Sequence, residues 1–431
     1  MNVTERQFPI LALLLLALWA IAPAQAQLRA HGGPVRALAV SADGKGLISA
    51  SFDATAIVWS LTSGTAEKVL RFHEGAVNAV AFLKDGRFAT SGEDGRIAIW
   101  QPGQDRPATI LKGHTAPVVS LAVSSDGGTL ASASWDTTAR LWPLAGGAPR
   151  VLEGHRQNVN GVAFTPNGRA VVTAGYDLTL RIWPLAGGGP PAIVTLPSPL
   201  NSVAVAPDGE IISAGATGKV YFLSAAGEKK AEIEAAAVPI IALAGSADGK
   251  LVAASSVRGA VAVIERAGRK LERTLVGPGM PAWSVTFLPD NGTLLTGGTD
   301  RLIRRWNALT GEHIGDVTMS GPADPLAQYE GDPGAQVYRA CVACHTLKAD
   351  AGRRAGPTLA GIFGRRIATL PGYDFSPALK KLDIVWTPET LSRLFEIGPA
   401  AYTPGTKMPE QRVGAEDRAA LMTFLEKATR Q

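Results

Sequence analysis

From Leu28 onward the chain alternates short apolar, β-branched runs with Gly, Pro, Asp and Asn, and the pattern returns every 40 to 43 residues. Asp43-Gly44, Asp85-Gly86, Asp126-Gly127, Asn167-Gly168, Asp208-Gly209, Asp248-Gly249 and Asn291-Gly292 mark the period. Asp-Gly and Asn-Gly supply the positive φ of a tight two-residue turn, so each pair predicts a hairpin. Further on in each unit an aromatic or apolar residue closes a strand: Trp59, Trp100, Trp142, Trp183, Phe222, Ile264 and Trp306. Seven units of short strands and tight turns result. After Trp306 one more strand is expected over Glu312–Thr318.

Polar residues recur in register with this pattern. In units one to four a His (His31, His73, His114, His155) precedes the Trp by 27 or 28 residues. A Ser or Thr (Ser49, Thr90, Ser132, Thr173) and an Asp (Asp53, Asp94, Asp136, Asp177) precede it by ten and six. Such positions can link strands through buried hydrogen bonds, which makes the histidines structural. These residues resemble the WD-repeat β-propeller family over about Leu28–Met319. Unit seven keeps Thr296, Asp300 and Trp306 without a His, and units five and six have Ala216 and Arg258 in place of the Asp. Those two blades are expected to rely on packing alone. Propellers are binding platforms with no shared chemistry, and no catalytic constellation stands out in this one.

Ahead of the repeats, Phe8–Ala22 is apolar and Ala24-Gln25-Ala26 follows as a small-x-small site. The run is shorter than the ~20 residues of a membrane-spanning helix, and the pattern is that of a secretory signal peptide over residues 1–26, cleaved after Ala26. The mature chain is then expected in a bacterial-type periplasm, without a stable membrane span. After the repeats, Ser320–Pro333 has the Gly, Pro, Asp and Ala content of a linker, which predicts two separable units.

The 431 residues are 46% hydrophobic and 18% charged, which excludes a disordered chain. Residues 333–431 hold 14 Lys and Arg against 9 Asp and Glu, whereas residues 27–332 hold 27 of each. The whole net charge of +5 therefore sits in the last hundred residues, which argues for one basic module and against a nucleic-acid binder.

Both cysteines lie in Cys341-Val342-Ala343-Cys344-His345. This spacing lets two thiols form thioethers with haem vinyl groups while the adjacent His reaches the iron. A thioredoxin-like dithiol would want a βαβ context, zinc would want four ligands, and a structural disulfide would leave His345 without a role. The iron's sixth position then needs a ligand. Met408, in the extended Pro404-Gly405-Thr406-Lys407-Met408-Pro409 loop, is the candidate; Met422 has the helical neighbours of a core residue.

These residues resemble class I cytochrome c over Gly334–Arg430. The resemblance implies a first helix crossing the last through Gly334, Tyr338, Leu421 and Phe424. It also implies a Pro357 carbonyl that takes the His345 ring proton, and Arg365 and Trp386 on a haem propionate. Lys348, Arg353, Arg354 and Lys407 would rim an exposed haem edge. Phe375 and Phe395 stand where relatives have Tyr, and Glu410 stands where an aromatic often covers the haem.

The expected protein is an all-β seven-bladed propeller (27–319), a linker (320–333) and an all-α cytochrome c domain (334–431). It would be a periplasmic electron carrier with one covalent haem (heme c) held by Cys341, Cys344, His345 and Met408, with Pro357, Arg365 and Trp386 around it. Its partner would be a redox protein, with another periplasmic protein as a possible guest of the propeller. Two alternatives are an oxidoreductase whose propeller binds a substrate or second cofactor, and a haem-based gas or redox sensor in which Met408 leaves.

Overall fold

The computed structural model describes residues 28–277, 279–314, 326–342, 344–349, 355–409 and 411–430. The expected leader, residues 315–318 of the expected last strand, the first part of the linker, Arg353, Arg354 and Glu410 lie outside the described residues.

Seven four-stranded antiparallel sheets form among these residues. The first blade is β2 (Val35–Val40), β3 (Gly46–Ser51), β4 (Thr55–Ser60) and β5 (Thr65–Arg71), paired in that order. The seventh has three strands, Ala282–Phe287, Thr293–Gly298 and Leu302–Asn307, and its edge is completed by β1 (Leu28–Arg29) from the other end of the propeller. β1 pairs with Leu302 and Ile303, and the described part of the strand expected over Glu312–Thr318 makes an isolated bridge from His313 to Trp306. Pairing the first strand into the last blade leaves no seam in the ring.

The third strands align throughout: Trp59 faces Leu47, Phe222 faces Ile212, Ile264 faces Val252 and Trp306 faces Leu294. Seven different third strands thus bury one bulky side chain each at the same register. The turns are longer than the two-residue hairpins expected. Five residues separate Val40 from Gly46; Gly44 N donates to Ser41 O at 2.9 Å, and the Asp43 carboxylate accepts from Ser41 Oγ and Lys45 N. Only the Gly takes positive φ there. In unit seven the register slips by one, so Asn291, at φ 59°, fills the left-handed position and Gly292 does not, a position Asn tolerates better than other side chains.

The polar residues of units one to four form closed chains. His31 Nδ1 lies 3.0 Å from Asp53, its Nε2 lies 2.7 Å from Ser49 Oγ, and Trp59 Nε1 donates to the same hydroxyl at 2.8 Å. The sets around His73, His114 and His155 repeat this. Blade five does not rely on packing alone, since Ser213 Oγ donates to Ser202 O and Thr217 N to Ser198 Oγ. Its buried Glu210 also accepts from Arg266 and Arg269 of blade six at 2.9 and 2.8 Å. In blade six itself Ser255 and Ser256 keep buried hydroxyls without a partner among the described residues.

The second unit is helical: α1 (Pro333–Tyr338), α2 (Pro388–Ile397), α3 (Pro399–Tyr402) and α4 (Ala415–Ala428). Asp332 caps α1 by accepting from Gly334 N and Ala335 N, and Pro333 opens it where no N–H is needed. A Cβ on Gly334 would stand 2.1 Å from Ala420 O and 2.4 Å from Phe424 Cβ, so the α1–α4 crossing requires glycine. The end of the expected linker belongs to this unit. Leu326 is buried in its core, and Tyr329 packs edge-on against Phe424.

Candidate functional site

A cavity of about 1050 Å³ lies in the helical unit and reaches the rim of the propeller. Cys341, Cys344, His345, Arg365, Trp386 and Met408 all line it, and Pro357 closes it behind the His. Its volume is at the upper end of ligand pockets, ~300–1,000 Å³, as a macrocycle demands.

The turn after α1 sets the cysteines and the His. Cys344 N and His345 N both donate to Cys341 O, at 3.0 and 2.8 Å, which turns three side chains toward the cavity. His345 Nδ1 lies 2.8 Å from Pro357 O. That bond assigns the ring proton to Nδ1 and leaves Nε2 as a lone-pair donor, the arrangement a metal-binding imidazole needs. Gly356 makes it possible, because a Cβ there would stand 2.4 to 2.8 Å from His345 ring atoms. Burial pushes the Cys341 thiol up to about 12, with the Arg29 charge pulling the other way. A thiol held neutral is a poor redox dithiol, which depends on a stabilised thiolate.

Met408 lines the same cavity, and its N–H donates to Thr406 Oγ1 at 3.1 Å. Met422 is buried in the core that α4 shares with α1 and α2 and does not line the cavity. Arg365 donates to Ala360 O and Thr358 O at 3.1 and 3.0 Å and, among the described residues, has no carboxylate partner. Burial pulls its pKa down, so the site lacks an anion that would compensate the guanidinium. Trp386 is coupled to it through the backbone: Trp386 N donates to Arg365 O, and Gly364 N to Trp386 O. Phe375 and Phe395 line the cavity as apolar surface. Tyr373, its ring tilted against that of Phe375, sends its hydroxyl to Ala355 O at 2.5 Å. Two thiols, a tautomer-locked imidazole, a thioether and an uncompensated cation around a large apolar cavity fit a covalently attached haem with acidic side arms.

The propeller's part in this site carried no signal in the sequence. Ala30, Val69, Asp105 and Arg106 line the same cavity. Cys344 packs into the apolar cluster of Ala66 and Val69, and Ala355 N donates to Ala66 O at 3.0 Å. The rim expected to be open is therefore partly covered: Lys407 lies 2.9 Å from Asp105, whereas Lys348 is exposed. The two units thus touch directly as well as being joined through the chain.

Residues 331–429 match the family model described as "Cytochrome c", and residues 23–60, 64–101, 105–143, 147–184 and 269–307 match "WD domain, G-beta repeat". The stretch between the last two matches holds blade five and the first three strands of blade six, the units that lack the His and Asp. The chain is 40% identical over 110 residues to cytochrome c of Arabidopsis thaliana, a match covering 25% of this chain and 97% of the relative. It is 40% identical over 105 residues to cytochrome c of Cochliobolus lunatus (24% and 96%). It is 39% identical over 107 residues to cytochrome c type-1 of Ascaris suum (24% and 92%).

Proposed function

The chain belongs to the cytochrome c family through its last hundred residues, carried behind a seven-bladed WD-repeat propeller, and from that premise we propose that it is a periplasmic monohaem carrier of single electrons. Family membership implies electron transfer and covalent haem, which when bound supplies a one-electron ferric/ferrous couple. The haem would be attached through thioethers to Cys341 and Cys344 and its iron held by His345 and Met408, with Arg365 and Trp386 at the propionates. The observation that carries it is the convergence of these side chains on one cavity, with His345 Nδ1 already engaged by Pro357.

Each residue's contribution follows from its chemistry. The Pro357 carbonyl fixes the imidazole's tautomer and plane, so no reorientation accompanies a change of iron charge. Met408 offers a soft thioether, which favours the reduced metal compared with a second imidazole. Arg365 holds a positive charge in a desolvated wall, where it offsets a propionate. The apolar lining from Phe375, Phe395 and Ile362 keeps water from the cavity.

The propeller is assigned the docking of a redox partner or of another periplasmic protein. Support for the compartment comes from the leader pattern in residues 1–26. A haem-stained denaturing gel with intact mass tests attachment: wild type should carry one haem, and Cys341→Ala with Cys344→Ala none. Unstained wild type would overturn the reading. Cell fractionation with sequencing of the mature N-terminus tests location, the expected start being Gln27.

A further inference from the structure

The loop that offers Met408 is held by three separate parts of the propeller. Arg71, the last residue of β5, donates Nη2 to Met408 O at 2.9 Å, across 337 residues of chain. Gln411 Nε2 donates to Ala30 O at 3.0 Å. Lys407 pairs with Asp105, which also takes Lys68 at 2.8 Å. Inside the cytochrome, among the described residues, Met408 N donates to Thr406 Oγ1, Thr406 N to Thr403 O and Ser376 Oγ to Gly405 O. Pro404 and Gly405 are exposed, and Gly405 sits at φ 84°.

We infer that Arg71, seconded by the Gln411 contact to Ala30, is a positioning residue that holds the Met408 loop in place, so that the propeller completes the cytochrome's haem site. The inference rests on the reading of Met408 as the second axial ligand. A loop of this kind has little regular structure to restrain it, and whether its sulfur stays in place depends on where its backbone is pinned. Arg71 pins the carbonyl of the ligand residue itself, with a permanently charged donor on a rigid planar fork. Gln411 pins the chain three residues further on. The Lys407–Asp105 pair adds less, because both side chains are about two-fifths exposed and such pairs are weak and screened by salt. The two neutral-acceptor bonds therefore dominate and should persist in salt.

Arg71 belongs to the propeller and touches no atom that reacts, so the test must read the ligand's state. In full-length protein, Arg71→Gln should weaken the ferric near-red sulfur-to-iron band. It should also speed carbon monoxide binding to the ferrous form by roughly tenfold, the scale of one lost charge-assisted hydrogen bond. Arg71→Lys should recover part of both signals, and Gln411→Ala should shift both in the same direction by less. Gln411 is on the cytochrome side and half-buried, so this variant tests the clamp even where Arg71→Gln disturbs blade one. Wild-type band and rate in both Arg71→Gln and Gln411→Ala, with the band lost in Met408→Ala, would overturn the positioning role. A band that survives Met408→Ala would instead overturn the ligand assignment on which it rests.

Discussion

The Nδ1 of His345 lies 2.8 Å from the carbonyl oxygen of Pro357, and the residue before that proline is a glycine packed against the ring, where nothing larger fits. Gly356 lets the chain pass close against the imidazole and carry the Pro357 carbonyl to Nδ1, which leaves Nε2 for a metal. Gly356→Ala would force a Cβ to within 2.4 Å of Cε1, so either the ring or the Pro357 carbonyl must move. The expected outcome is a large loss of haem-bearing protein on a stained gel, together with a perturbed ferric spectrum in what remains. Wild-type yield and spectrum would show that this close approach is not needed.

Met408→Ala should remove the near-red band and let carbon monoxide bind readily, because among the described residues no other thioether lines the cavity. Met422→Ala should do neither. Its expected cost is stability, about 2–5 kcal/mol for a buried Met, read by thermal melting of the cytochrome. Reversed phenotypes would exchange the two roles.

The blade tetrads make propeller stability depend on acid. Burial works against the Asp53 charge, yet His31 and the bonds from Thr55 and Gly32 outweigh it and hold its pKa at about 2, below the ordinary 3.8. Asp177 sits at about 2 as well, burial again being outweighed, here by Arg156 N–H, Thr179 and His155. A carboxyl depressed on folding stabilises the fold above its ordinary value, and that contribution disappears as pH falls from there through about 2. For Asp53 it is about 2 kcal/mol. His155 is pushed down by burial, so its share is present above about 6.5 and erodes below it. The melting temperature should therefore decline gently below pH 6.5 and steeply below pH 4. Asp53→Asn should lower it at pH 7 and flatten part of the acid limb. An unchanged limb would remove the tetrad from the explanation.

What could be read in the sequence was whatever each short stretch encodes by itself. Seven repeats carry their own turn residues and strand-closing side chains, and Cys341 to His345 span five positions, so both units were legible. The exact turn was not, because Asn291-Gly292 looks like the other pairs although its left-handed residue is Asn291. Contacts between distant segments leave no local pattern. The Glu210 cluster with Arg266 and Arg269 spans more than fifty residues, and β1 closes a blade nearly three hundred residues away. Arg71 and Ala30 reached the haem site only in three dimensions.

Asp105 decides how the basic rim behaves. Burial opposes its charge, but hydrogen bonds from Lys68 and Lys407 outweigh this and hold its pKa below the usual carboxylate range. Lys407 is thus engaged by an internal acid at the place where an acidic partner would be expected to meet it. Because the pair is about two-fifths exposed, it contributes at most about 1 kcal/mol, little enough for a partner's carboxylates to compete. Asp105→Asn would free Lys407 and delete a negative charge beside the cavity. Oxidation of the ferrous protein by ferricyanide, itself an anion, should then quicken about two- to fivefold at low salt and converge with wild type toward 1 M, where the Debye length is ~3 Å. Lys407→Glu should slow the same reaction. Rates indifferent to both substitutions and to ionic strength would remove this rim from recognition and leave the propeller's other surfaces to select the partner.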